Sequence, residues 1–143
     1  GYVQARTIEW GNSYLPSEYV VVPRGQELVS YTPTGVNGLR FRAKYGMVGL
    51  AIIQKDFVAE GLNEVGLSAG LFYFPHYGKY EEYDEAQNAT TLSDLQVVNW
   101  MLSQFATIDE VKVLRYIGAL AMLKEIKWYW SLWMVFLIFM KTG

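Results

Sequence analysis

Cysteine is absent from the 143-residue sequence, which removes disulfides, thiolate metal sites and any cysteine nucleophile from these residues. Histidine occurs once, as His76. One imidazole leaves little material for a Ser-His-Asp triad or a multi-histidine zinc site, and no metal is expected. Positive charge is not in excess, since 12 Lys and Arg face 14 Asp and Glu for a net charge of -2. A chain so balanced has no surplus cation to neutralise a phosphate backbone, so nucleic acid is not an expected partner. The sequence also lacks a glycine-rich phosphate loop, an internal repeat and a low-complexity tract, and no cofactor is expected. Its longest uncharged apolar run falls short of the roughly 20 residues that a membrane-spanning helix needs.

What is present is apolar and aromatic. Hydrophobic residues make up 52%, aromatic residues 16% and charged residues 18%. That composition excludes a disordered polyampholyte and allows one domain of ordinary size with a sizeable core. The charge is unevenly spread. Residues 1–112 carry 13 acids and 8 bases, whereas residues 113–143 carry one acid, Glu125, and four bases, Arg115, Lys124, Lys127 and Lys141. Three of the five tryptophans, Trp128, Trp130 and Trp133, also lie in that tail.

The first part reads as strands followed by helices. Glu18 to Val22 is a run of β-branched residues stopped by Pro23-Arg24-Gly25, which predicts a strand. Gln26 to Gly38, with Pro33, Gly35, Asn37 and Gly38, reads as a loop. Leu39 to Ala43 alternates with period two, and Tyr45 to Ile53 is a second, more apolar run. Gly61 to Gly66 reads as a turn, and Leu67 to Phe74 as an apolar strand ended by Pro75. The strands containing Val20, Phe41, Val48 and Leu71 are expected to pair. Leu92, Leu95, Val98, Leu102 and Phe105 fall at helical spacing and should face them. Thr107-Ile-Asp-Glu110 matches a capping box, so a second helix should start there. Strands first and helices afterwards argue for an α+β layer structure.

Individual chemical signals are open to two readings each. Arg6 and Glu9 beside Trp10 form either a surface ion pair near an interfacial tryptophan or a guanidinium and carboxylate that orient a nucleophile. His76 has no partner at ligand spacing and reads as a structural or surface histidine. Glu81, Glu82, Asp84 and Glu85 lack the oxygen-ligand spacing of a calcium loop and read as a solvated acidic loop. Asn88-Ala89-Thr90 fits the glycosylation sequon, a match common by chance. Tyr73, on an apolar strand, reads as core with its hydroxyl at the edge.

Five segments occur together in order: Ala5-Arg6-Thr7-Ile8-Glu9-Trp10, Tyr19 to Gly25, Lys44-Tyr45-Gly46, Gly61 to Leu67 and Leu71-Phe72-Tyr73-Phe74-Pro75. With Trp100 to Lys112, they resemble the choloylglycine hydrolase family of bile salt hydrolases and penicillin V acylases. The resemblance implies an N-terminal-nucleophile hydrolase with an αββα sandwich. In that family a mature N-terminal cysteine, with its own α-amino group as base, attacks a linear amide and passes through an acyl-enzyme. Arg6 would match the arginine beside that cysteine, where a cation favours the thiolate. Glu9 would match a carboxylate that holds the α-amino group, and is one methylene longer than the Asp usual there. Tyr73 would match an oxyanion-hole position that is often Asn in bile salt hydrolases and Tyr in penicillin V acylases. Trp10 and Phe72 would supply apolar surface near the acyl pocket. The implied partner is a small-molecule acyl amide, the implied assembly a homo-oligomer, and the implied location the bacterial cytoplasm or periplasm.

The departures lead to further expectations. The nucleophile should lie upstream of Arg6, and the family's second catalytic asparagine and second arginine should lie downstream of residue 143. The chain is therefore expected to be an interior fragment, partial over 1–112 and inactive as given. Residues 113–143 are expected to be an apolar, helical tail translated out of frame. Ile126 to Ser131, written ATC AAA TGG TAT TGG AGT, regroup one frame over to Gln-Met-Val-Leu-Glu, as in the family's next strands. The exposed aromatic tail should adsorb to membranes. The competing reading is a small membrane-associated binding protein with a genuine aromatic tail.

Overall fold

A computed structural model of the chain describes residues 5, 7, 14–73, 83–113, 127–129 and 133–134. Its centre is an antiparallel sheet in the order β1-β4-β5-β6, formed by β1 (Ser17–Val22), β4 (Met47–Ile52), β5 (Val58–Asn63) and β6 (Ser68–Gly70). Between β1 and β4 the chain makes a separate hairpin of β2 (Glu27–Val29) and β3 (Arg40–Arg42). After β6 come β7 (Phe72–Tyr73), a 3-10 turn over Glu85–Thr90, β8 (Thr91–Ser93) and a second 3-10 turn over Asp94–Gln96. Two helices follow, α1 (Val97–Gln104) and α2 (Ile108–Val113). In the tail, β9 (Lys127–Tyr129) pairs parallel with β8, and β10 (Trp133–Met134) pairs antiparallel with β7.

The alternation of apolar residues decides which sheet face is covered. Val22, Met47, Ala51 and Ala69 are buried, and α1, which packs on β5 and β6, carries Val98 and Leu102 with no exposed surface. Gly49 and Gly61, partners across β4 and β5, keep the sheet thin at that point. A Cβ on Gly61 would lie 2.9 Å from Leu102 Cδ1 and 2.7 Å from the Val48 carbonyl oxygen, so the helix sits where only glycine leaves room. The opposite face carries Tyr19, Val21, Val48 and Leu62, all exposed. A half-buried sheet with one apolar face still open fits one half of a layered α+β sandwich.

Several sequence expectations are corrected. Gln26–Gly38 is not all loop, because Glu27–Val29 forms β2 and an ion pair joins Glu27 to its cross-strand partner Arg42. The turn-forming residues flank it, Gly25 before β2 and Gly35 after it, at φ of 85° and 135°. The strand containing Phe41 therefore pairs with β2 and not with the central sheet, whereas Val20 and Val48 do pair through β1 and β4. Leu71 lies between β6 and β7, its N–H donating to the Ala59 carbonyl at 2.7 Å. The helical pattern from Leu92 to Phe105 is interrupted: Leu92 is in β8 and Leu95 in a 3-10 turn, so α1 itself covers only 97–104. The Leu39 N–H takes the Thr91 carbonyl at 2.7 Å and draws that segment into extended form.

The capping signal at Thr107 gives α2 as expected. Thr107 Oγ1 accepts from the Glu110 N–H at 3.2 Å, while Glu110 Oε2 accepts from Ala106 N–H at 2.7 Å, one residue earlier than in the standard box. The tail is expected to be helical; Val113 ends α2, but the described residues further on, Lys127–Tyr129 and Trp133–Met134, are strands. Trp128, Tyr129 and Trp133 are aromatic residues that favour strands, and β8 and β7 supply the backbone groups that β9 and β10 pair with.

Candidate active-site end of the sheet

The strand register gathers three chain segments at one end of the central sheet. Ser17 at the start of β1 pairs with Ile52, Ala51 pairs with Val58, and Glu60 pairs with Gly70. The chain therefore enters β1, turns from β4 to β5 and leaves β6 for β7 at the same end. Ile53 in the β4–β5 turn holds a left-handed φ of 68°, with its N–H on the Pro16 carbonyl at 2.8 Å. A β-branched residue rarely adopts that conformation, and such strain gathers where a site imposes it.

Of the candidate residues read from sequence, Phe72 and Tyr73 lie at this end, on β7. Their backbones pair with Met134 and Trp133 of β10. The Phe72 ring folds back over β6, with Cε2 3.6 Å from where a Cβ on Gly70 would sit. Arg6, Glu9 and Trp10 lie outside the described residues, as do His76, Glu81 and Glu82. They stand in the segment that leads into β1 or in the one that leaves β7.

The other signals resolve as structure. Asp84 caps the first 3-10 turn, its Oδ1 accepting from the Ala86 N–H at 3.1 Å. The Asn88 carboxamide accepts from the Tyr83 hydroxyl at 3.0 Å and donates to Thr34 Oγ1 at 3.2 Å, which pins this turn to the loop before β3. Among the described residues no group of three or more His, Asp or Glu side chains could hold a metal ion.

Sequence reading passed over Asp94. It is 3% exposed, in a cavity of about 350 Å³ lined by Tyr31, Thr32, Pro33, Phe57, Ser93 and Leu95. Burial pushes its carboxyl up to about 7 against the opposing pull of the Leu95 N–H. Its signal in the sequence was a lone charge in the otherwise uncharged stretch from Leu92 to Phe105.

The opposite end of the sheet is held by polar side chains. Glu64 accepts from Arg24 Nε at 2.9 Å and from the Gly46 N–H at 2.6 Å, which ties three turns together. These residues belong to the segments Tyr19 to Gly25, Lys44 to Gly46 and Gly61 to Leu67, so three of the five recurring segments meet there.

The family model described as "Linear amide C-N hydrolases, choloylglycine hydrolase family" matches residues 2–127, so the match runs past Val113 into the tail. A bile salt hydrolase/transferase of Clostridium perfringens (strain 13 / Type A) is 28% identical over 95 residues, covering 65% of this chain and 27% of that protein. The crystal structure of a variant of conjugated bile acid hydrolase from Clostridium perfringens superposes with a TM-score of 0.55 at 25% identity, covering 78% of this chain and 31% of that one. A penicillin V acylase from Agrobacterium tumefaciens shares the fold with a TM-score of 0.63 at 24% identity, over 82% of this chain and 33% of that one. The chain thus spans about a quarter of its curated relative. It belongs to the choloylglycine hydrolase family of linear amide C–N hydrolases.

Proposed function

We propose that the protein carrying these residues hydrolyses a linear amide of the conjugated bile salt or penicillin V type through an acyl-enzyme. The observation that carries this reading is the family match over residues 2–127, together with a register that brings the start of β1 and the exit to β7 to one sheet end. Arg6 stabilises a thiolate supplied by a mature N-terminal cysteine upstream of these residues. Glu9 holds the α-amino group that accepts the thiol proton. Tyr73 contributes a donor to the tetrahedral oxyanion, where a placed hydrogen bond has most effect. Trp10 and Phe72 line the acyl site. Tyr73 tilts the substrate toward penicillin V-like acyl groups.

Beyond residue 127, where the in-frame family match ends, the same reading assigns the tail to translation out of frame, and it leaves the present 143 residues without turnover of their own. The support is the charge reversal at residue 113 and the codon regrouping of Ile126 to Ser131. The membrane-associated alternative has only the tail's aromatic composition behind it. No helix among the described residues is long and apolar enough to cross a bilayer.

Mass spectrometry of the protein with its upstream cysteine, quenched during turnover of penicillin V, tests the mechanism. The expected result is a covalent mass increase equal to the phenoxyacetyl group on the N-terminal residue. Turnover with no adduct, and undiminished turnover after that cysteine is replaced by alanine, would overturn it.

A further inference from the structure

Asp94 presents a buried carboxyl group that the fold itself does not fully satisfy. Its Oδ1 accepts from the Leu95 N–H at 2.9 Å, and the Ser93 hydroxyl reaches the same oxygen only at 3.5 Å. Oδ2 is buried with no hydrogen-bond partner. A carboxylate oxygen left unpaired in the interior is costly, and a site that keeps one has a use for it or a partner to receive.

The surroundings narrow what that partner is. Tyr31 and Phe57 line the same cavity as an edge-to-face pair with ring centroids 5.3 Å apart at 72°. Pro33 and Leu95 complete an apolar wall, and the volume of about 350 Å³ is within the range of small-molecule pockets, about 300–1,000 Å³. No lining residue is cationic. The Tyr31 hydroxyl donates to Asp56 Oδ2 at 3.3 Å, which adds a second carboxylate beside the cavity. An anionic ligand would be repelled by both acids. A divalent metal ion would find one lining carboxylate and too few other oxygen ligands. A neutral ligand would leave Asp94 without a counter-charge above about pH 7, where its carboxyl ionises. An ammonium pairs with the carboxylate, and its positive charge is attracted to the faces of the two aromatic rings.

We propose that the Asp94 cavity is a binding site for a small organic ammonium ion whose apolar body packs against Tyr31 and Phe57. The charged nitrogen pairs with the Asp94 carboxylate, whose Oδ2 turns toward the cavity to meet it, and the body displaces water from the wall formed by Pro33 and Leu95. The site lies beside the turn that leads into β5, since Phe57 immediately precedes that strand.

Benzylammonium is a suitable probe and benzyl alcohol its neutral match in shape. Both are titrated at pH 8, where Asp94 is mostly ionised, into the full chain with Tyr31 and Phe57 ring resonances followed by NMR. Saturable millimolar or tighter binding of benzylammonium is expected, at least tenfold stronger than that of benzyl alcohol. Asp94→Asn keeps the side-chain shape and the acceptor for Leu95, and should lower benzylammonium affinity at least tenfold without changing that of benzyl alcohol. Phe57→Leu should weaken benzylammonium severalfold with Asp94 intact. Absence of saturable binding to the folded chain, equal affinity for the two probes, or an Asp94→Asn variant that binds benzylammonium as the wild type does would each overturn the proposal.

Discussion

The Asn63 side chain donates through Nδ2 to the Leu102 carbonyl at 2.9 Å, fastening the end of β5 to α1. The same nitrogen donates to the Phe105 carbonyl at 2.7 Å, and Oδ1 accepts from the Leu67 N–H at 2.8 Å and the Val65 N–H at 3.2 Å. One carboxamide therefore closes the β5–β6 turn and satisfies carbonyls that the end of a helix leaves open. Asn63 is 3% exposed, so its loss strands those groups away from water. Asn63→Ala is expected to lower stability by about 2–4 kcal/mol, read by urea unfolding. Asn63→Asp, which cannot donate, should fall in the same range.

At the cross-strand pair Gly49 and Gly61, an added methyl has no room. A Cβ on Gly49 would lie 2.6 Å from Val58 Cγ1 and 2.8 Å from the Glu60 carbonyl oxygen. Gly61→Ala should push α1 off the sheet and cost roughly 1–3 kcal/mol in thermal or urea unfolding. A variant as stable as the wild type would show that α1 does not pack closely at this point.

Two carboxylates should give opposite pH dependences. Asp94 is raised from 3.8 to about 7, so the folded state holds its proton more tightly than the unfolded state does. Stability from this group is then lost as pH rises from about 4 to about 7, by on the order of 4 kcal/mol at most. Asp94→Asn should remove that slope. Glu64 is instead held below its usual 4.5, first by the Arg24 hydrogen bond and then by the Gly46 N–H. Its contribution is present above about pH 4.5 and is lost as pH falls through the lower folded value. Glu64→Gln should flatten the acid limb of the stability curve and leave the neutral limb unchanged. Urea midpoints measured from pH 3 to pH 8 check both signs.

The tail combines strand pairing with an apolar, tryptophan-rich sequence. Deleting residues 113–143 removes β9 and β10 and leaves β8 and β7 as bare edges. The shortened chain should unfold at a lower temperature but adsorb less to liposomes, because it lacks the tryptophan-rich apolar sequence that favours a lipid interface. Sedimentation and vesicle flotation compare the two chains. Saturable binding of the full chain to one defined lipid, abolished by Trp130→Ala, would favour a genuine membrane function for the tail.

How much was legible in the sequence follows from how local each signal is. β1 and β4 could be read because Glu18–Val22 and Tyr45–Ile53 carry their own apolar runs, and α2 because its cap lies within four residues. β2 was hidden, since three residues show no period and its strand character comes from Arg42 and Phe41 across the hairpin. The break between β8 and α1 was hidden by a helical spacing that continued across Ser93 and Asp94, where the distant residues Leu39, donating to the Thr91 carbonyl, and Ser30, accepting from the Ser93 N–H, override it. Asn63 appeared only as a turn residue, because its partners on α1 are about 40 positions away. Asp94 was passed over for a similar reason: Tyr31 and Phe57, which make its cavity, come from two other parts of the chain.

The most direct test of the account is amide hydrolysis by the protein that carries these residues behind a mature N-terminal cysteine. Release of phenoxyacetate from penicillin V and of glycine from a glycine-conjugated bile salt would be followed for the wild type, Arg6→Ala and Glu9→Gln. The account expects turnover by the wild type, a loss of about 100-fold or more in kcat/KM for Arg6→Ala and Glu9→Gln, and retention of activity in Glu9→Asp. Wild-type turnover of neither amide, or turnover unaffected by Arg6→Ala, would contradict it.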